Sequence, residues 1–70
     1  MELDKLNSYL QESFECATAG RLSRCRELER LARNDIKKAL GLGHNSKIKY
    51  KTLPSSWRRC LLMLEAIGHE

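Results

Sequence analysis

The stretch FECATAGRLSRC, residues 14–25, decides how this chain folds, because it lies midway along the longest amphipathic pattern in the sequence. Apolar residues recur at helical spacing on both sides of it, and a helical projection places them on one face. The pattern keeps its phase across Gly20, which is the only helix breaker within it. The apolar set is Leu3, Leu6, Leu10, Phe14, Ala17, Cys25, Leu28, Leu31, Ala32, Ile36 and Ala39.

Two folds fit this pattern. One continuous helix over residues 2–41 preserves the phase, whereas a helical hairpin that breaks at Ala19–Gly20 gives helices closer to the average length of about eleven residues. Arg21 falls within the apolar stripe. Either the stripe is interrupted there, or small residues mark a close helix crossing and Arg21 reaches the rim. Both folds remain open at this point.

The rest of the chain predicts an extended arm and a second helical element. Gly41 offers the left-handed residue that commonly ends a helix. Residues 47–52 alternate lysine with bulkier side chains, which predicts a basic extended arm over residues 42–53 with Ile48 and Tyr50 packed inward. Pro54 suits the first turn of a final helix over residues 54–67. Its predicted core set is Trp57, Cys60, Leu61, Leu64 and Ile67.

The predicted fold class is therefore all-α, with residues 1–70 as a single helical domain. A chain of 70 residues buries only about 60% of the surface that its unfolded form exposes. A long helix with one apolar stripe and one short helix cannot cover that stripe within a single chain. We therefore expect a helical homodimer, an inference that depends on uncovered apolar surface and on no motif.

The cysteines and histidines indicate neither a metal site nor an enzyme. Cys16, Cys25 and Cys60 lack the close spacing of metal ligands or of a disulfide framework, so we expect free, structural thiols. We expect no cofactor, no membrane span, and a reducing compartment such as the cytoplasm, with nuclear entry left open. His44 is in a loop and His69 is near the end of the chain, and the glycines at 41 and 43 lack phosphate-loop spacing.

Charge is segregated along the chain. Residues 1–16 have a net charge of −3 and residues 21–59 have +9, within a total of +4. Such a basic block indicates an anionic partner. Four basic residues at i, i+4, i+7 and i+11 share one helix face, pointing away from the apolar stripe, in a row roughly 16 Å long. They are Arg26, Arg30, Arg33 and Lys37.

Three further basic clusters extend the candidate nucleic-acid site, namely Arg21 and Arg24, then Lys47, Lys49 and Lys51, then Arg58 and Arg59. One alternative for the row is an ordinary solvated face, on which acidic neighbours pair with the arginines, for example Glu29 with Arg33. A second alternative is a dimeric adaptor or inhibitor that docks on an acidic protein. Nothing in the sequence separates these alternatives cleanly.

Among nucleic acids, double-stranded RNA fits best. Phe14 and Trp57 are needed for the core, which leaves too few aromatic residues for a single-strand stacking platform. No cluster of Asn or Gln offers itself to base edges in a DNA major groove, whereas a surface helix can contact the shallow RNA minor groove. In plan, the chain resembles small viral proteins that shield duplex RNA with dimeric helices. That resemblance implies sequence-nonspecific binding that suppresses RNA silencing.

Overall fold

The computed structural model describes residues 3–43 and 45–69, which form three α-helices without a β-strand. Helix α1 spans Leu3–Thr18, α2 spans Leu22–Ala39 and α3 spans Ser55–Gly68. The all-α prediction is confirmed, and so is the hairpin alternative with its break at Ala19–Gly20. One continuous helix over residues 2–41 is wrong. The final helix begins and ends one residue later than predicted.

The break at Gly20 is a hydrogen-bonded helix stop. Gly20 has a φ of 76°, a left-handed conformation that strains residues with a Cβ atom. The amide of Arg21 donates to the Cys16 carbonyl at 2.8 Å, and the amide of Gly20 donates to the Ala17 carbonyl at 3.1 Å. This pair of bonds satisfies carbonyls that the end of α1 would otherwise leave unpaired. Gly41, with a φ of 72°, ends α2 in the same way, as predicted.

The three helices pack around one core. Leu6 of α1, Ile36 of α2 and Leu64 of α3 are fully buried and belong to the same apolar cluster. The predicted core set of α3 is confirmed, since Cys60, Leu61, Leu64 and Ile67 are buried and Trp57 packs against them. Truncating a buried leucine of this kind to alanine typically costs about 2 to 5 kcal/mol. The bundle therefore depends on these few side chains.

The predicted buried face of α1 is partly wrong. Leu3 and Phe14 are 38% and 47% exposed, whereas Ser13 and Cys16 are buried. In a bundle, α1 has to contact both α2 and α3, so its buried face is turned toward α2 relative to the predicted stripe. Small side chains suit the α1–α2 contact, where the Cys25 thiol donates to the Ser13 carbonyl at 3.5 Å. Ala39, also predicted to be apolar core, is exposed at the end of α2.

The connection from α2 to α3 is only partly extended. Tyr50–Thr52 form a 3-10 turn, in which the Thr52 amide and hydroxyl both bond the Lys49 carbonyl, at 3.0 and 2.7 Å. The extended arm predicted over residues 42–53 is therefore wrong at this turn. Ile48 and Tyr50 pack against the core cluster, and Leu53 is buried within it. His44 lies outside the residues that the structure describes.

Helix α3 covers the apolar stripe of the hairpin within a single chain, so an uncovered stripe no longer supports a dimer. Homodimerisation itself stays a prediction and needs a different surface. No helix among the described residues has both the length and the apolar composition that crossing a membrane would require.

Candidate nucleic-acid interface

The predicted basic row on α2 is divided by its contacts with α3. The Arg33 guanidinium donates from Nε to Glu29 Oε2 at 3.1 Å and from Nη2 to the Tyr50 hydroxyl at 3.2 Å, and it pairs with Glu65. Arg33 is half-buried. The expectation that the whole row points away from the packed face is wrong at this position, because α3 supplies a carboxylate for it.

Arg26 is also turned toward α3. Its Nε donates to the Gly68 carbonyl at 3.2 Å, at a helix end where unpaired carbonyls and the helix dipole favour a cation. Arg30 is exposed, and Lys37 is half-buried near the end of α2. The structure therefore does not bring the four residues together as one open face. Two of them hold α3 in place.

Burial and pairing fix the charge states of this network. Burial opposes the charge of Arg33, but Tyr50, Glu65 and Glu29 outweigh it, so the pKa of Arg33 lies above its usual value. Burial and the hydrogen bond to Glu65 raise the pKa of the Tyr50 hydroxyl. A neutral phenol and a charged guanidinium are thus the stable states. The network ties the connecting segment to α2 and α3.

At the opposite, hairpin end of the bundle, which we call the turn end, the cations are matched by carboxylates. Arg24 bridges Glu12 of α1 at 2.7 Å and Glu27 of α2 at 3.2 Å. These two carboxylates raise the pKa of Arg24 above its usual value. Arg21 lies in the turn itself, between the helices, and is exposed. Of the predicted cluster, Arg24 therefore holds the hairpin together, whereas Arg21 is exposed.

The other end of the bundle collects most of the remaining basic residues. The C-terminus of α2, the connecting segment and the N-terminus of α3 meet there. Lys38 and Leu42 line one depression together, and Leu42 lines a second with Lys47 and Lys49. We call this surface the basic end. It consists of Lys37, Lys38, Lys47, Lys49, Lys51, Arg58 and Arg59.

The carboxylate that borders the basic end is already engaged. Asp35 shares a shallow depression with Lys38. It accepts a hydrogen bond from the Tyr9 hydroxyl at 2.6 Å and pairs with Lys5 at 3.1 Å. The bond from Tyr9, followed by that from Lys5, holds the pKa of Asp35 below 3.8. Asp35 thus secures α1 to α2, and among the lysines of the basic end the charge of Lys38 also helps to lower the pKa of Asp35.

The sequence contains a signal for this surface that a helical projection of α2 alone does not show. Between Asp35 and Glu65 there is no acidic residue, while seven basic residues lie in that interval. Lys38 was absent from the predicted site, because it falls outside the row on α2. A count of charge along the chain identifies the basic end better than the projection of one helix does.

The thiols show no sign of a ligand-binding role. Cys16, Cys25 and Cys60 are free and buried, and the Cys60 thiol donates to Asn7 Oδ1 at 3.3 Å. Within residues 3–43 and 45–69, no group of His, Cys, Asp and Glu is arranged to hold a metal ion. No known family model matches the chain, and neither a curated protein nor a solved structure matches it.

Proposed function

We propose that this chain binds the phosphate backbone of double-stranded RNA through its basic end, without sequence preference. The observation that carries the proposal is the segregation of unneutralised charge. Within the described residues, Lys47, Lys49 and Lys51 are exposed and form no ion pair, and Lys38 is exposed beside Asp35. Exposed cations on two neighbouring segments suit an extended anion better than they suit a single carboxylate.

The aromatic residues favour a duplex over a single strand. Single-strand binding proteins stack bases on exposed aromatic rings. At the basic end, Tyr50 is held by Glu65 and Arg33, and Trp57 packs against the core. Phe14 is exposed, but it lies in the C-terminal half of α1, near the turn end. The basic end therefore offers charge without a stacking platform.

The shape of the bundle favours RNA over DNA. The molecule measures 34 × 22 × 17 Å along its principal axes, and its helices run along the bundle. Its cross-section is wider than the DNA major groove of about 12 Å, so the basic end cannot enter that groove. A blunt surface can lie across the wide, shallow minor groove of RNA and contact phosphates on both sides. Bound there, it would cover phosphates that duplex-cleaving ribonucleases need.

A second candidate function is docking on an acidic protein. Leu40 and Leu42 are 38% and 37% exposed beside the lysines of the basic end. Phosphate groups gain nothing from contact with this apolar surface, whereas an acidic helix with an apolar edge would bury it. Replacing Leu42 with serine separates the two functions. RNA binding should be unchanged by this substitution, and docking on a protein should weaken.

The experiment is a titration of duplex RNA, duplex DNA and single-stranded RNA at several salt concentrations. Counterion release predicts that log K falls with log salt by about 0.9 for each phosphate contact, taking the duplex-DNA value as a stand-in. We therefore expect Lys49→Ala to flatten the slope by about 0.9 per bound chain and to weaken all duplex sequences alike. Arg24→Ala, at the turn end, is the matched control and should leave the slope unchanged.

Two results would contradict the proposal. If Lys49→Ala binds duplex RNA as tightly as the wild type, the basic end is not the interface. If single strands compete as well as duplexes, the arrangement of the lysines is irrelevant to binding. If Arg30→Ala weakens duplex RNA binding and Lys49→Ala does not, the interface lies on the exposed part of α2.

A further inference from the structure

A patch of apolar side chains lies exposed on the face of the bundle that α1 and α3 share. Phe14 is 47% exposed, Leu62 46% and Met63 38%, and Ala66 beside them is also exposed. We call these four residues the α1–α3 patch. Large apolar side chains gathered on one face of so small a protein are typical of an interaction surface.

Helix geometry places Phe14 next to the α3 members of the patch. Asn7 of α1 contacts Cys60 of α3, and Phe14 follows Asn7 by two helical turns, so it lies on the same flank of α1. Cys16 packs in one cluster with Ile67, which shows that α1 and α3 run in parallel. Phe14 is therefore level with Ala66, near the C-terminal end of α3.

The α3 side of this face contains a shallow depression of about 520 Å³, with Leu62, Met63 and Ala66 among its lining residues. The small side chain of Ala66 leaves room there for a large one. The lining also includes Ser55, Arg58 and Arg59, so a phenyl ring such as that of Phe14 can pack on the apolar side chains and present its face to a guanidinium group. Because Phe14 and the depression are on the same face, a twofold axis along the helices would place the Phe14 ring of each chain in the depression of the other.

We infer that a second copy of this chain covers the α1–α3 patch, with α1 of each copy packed against α3 of its partner. Charge complementarity supports this occupant. Asp4 on α1 and Arg59 on α3 are exposed, lie toward the same end of the face, and have no ion pair within the described residues. The twofold axis that places Phe14 in the depression also places Asp4 opposite the partner's Arg59.

This dimer does not depend on RNA binding. Parallel packing sets two basic ends side by side, so they repel each other, whereas each Asp4–Arg59 pair attracts. Salt screens both effects, so we expect the dimer to change little with salt, whereas binding to a polyanion weakens steeply. Arg59 belongs to the basic end but Phe14 and Asp4 do not, so Phe14→Ser and Asp4→Arg test the dimer without altering the RNA-binding surface.

The test is sedimentation equilibrium of the full chain at low and high salt, over a wide range of protein concentration. We expect a dimer whose dissociation constant changes little with salt. Phe14→Ser should raise its dissociation constant by about tenfold or more, as loss of a buried aromatic anchor does. Leu22→Ser is the matched control, because Leu22 is a similarly exposed leucine, at 43%, outside the patch. It should leave the dissociation constant unchanged.

A charge exchange tests the arrangement of the two copies. Asp4→Arg and Arg59→Asp should each weaken the dimer, and the double variant should restore it, with circular dichroism confirming that every variant is folded. Glu15→Arg should have a smaller effect, because Glu15 lies at the opposite end of the face. A chain that stays monomeric at every concentration overturns the proposal and leaves the patch to a different protein. The proposal is also overturned if Phe14→Ser leaves the dimer intact, or if Glu15→Arg alone disrupts it.

Discussion

The turn end and the basic end use the same kinds of side chain in opposite ways. At the turn end, Arg24 bridges carboxylates of α1 and α2. At the basic end, Lys47, Lys49 and Lys51 are exposed and form no ion pair within the described residues. A basic residue is therefore available to a ligand only where neither its own helix nor a packed neighbour supplies an acid. The distance from a basic residue to the nearest carboxylate therefore predicts its availability to a ligand better than its position in a charged row does.

The largest effect is expected from substituting Arg33, with Arg30 as its neighbour on one face of α2 for comparison. Arg33→Ala removes the guanidinium from Glu29 and Glu65, both largely buried, and leaves Glu29 with the His69 imidazole alone, at 3.0 Å. We expect it to lower the free energy of unfolding by about 2 kcal/mol, measured by urea denaturation. Arg30 is exposed, so Arg30→Ala should change stability by less than about 0.5 kcal/mol.

Neither Arg33 nor Arg30 belongs to the basic end, so the same two variants also test whether the proposed binding surface excludes this face of α2. The salt dependence of the proposed RNA binding should be unaffected by either substitution, at temperatures where the variant is folded. Equal stability of the two variants would show that the contacts of Arg33 with α3 contribute nothing to the fold.

A smaller effect is expected from Tyr9→Phe, which tests the one carboxylate that borders the basic end. The hydrogen bond from Tyr9 to Asp35 should contribute about 1 kcal/mol at neutral pH. Because the pKa of Asp35 lies below 3.8 in the folded chain, this contribution is present above that value and is lost as pH falls through the folded pKa. Urea midpoints should therefore differ at neutral pH and converge in acid. A difference that persists in acid would assign the effect to packing of the ring.

Local signals in the sequence predicted the elements that depend on local physics. Gly41 ends α2 through a left-handed residue, and the spacing from Trp57 to Ile67 marks the buried face of α3. The buried face of α1 could not be predicted from periodicity, because it turns toward a second helix. The contact that decides this is between Cys25, which the apolar pattern includes, and Ser13, a small polar residue that the pattern leaves out.

The candidate site was only partly predictable for a related reason. The partners that withdraw Arg26 and Arg33 from the predicted row, Gly68 and Glu65, lie more than thirty positions away along the chain. Their effect appears only once α3 is packed against α2. The basic end, by contrast, follows from the long interval without acidic residues, which needs no knowledge of the fold.

The unequal lengths of the two connections have a consequence for folding kinetics. Three residues join α1 to α2, whereas fifteen join α2 to α3. The longer loop costs about 1 kcal/mol more to close, and local contacts form first in helical proteins. The hairpin should therefore form before α3 docks, and docking should complete the ion pair between Arg33 and Glu65. Trp57 is the only tryptophan and lies on α3, so its fluorescence should report this last step, later than the helical circular dichroism signal.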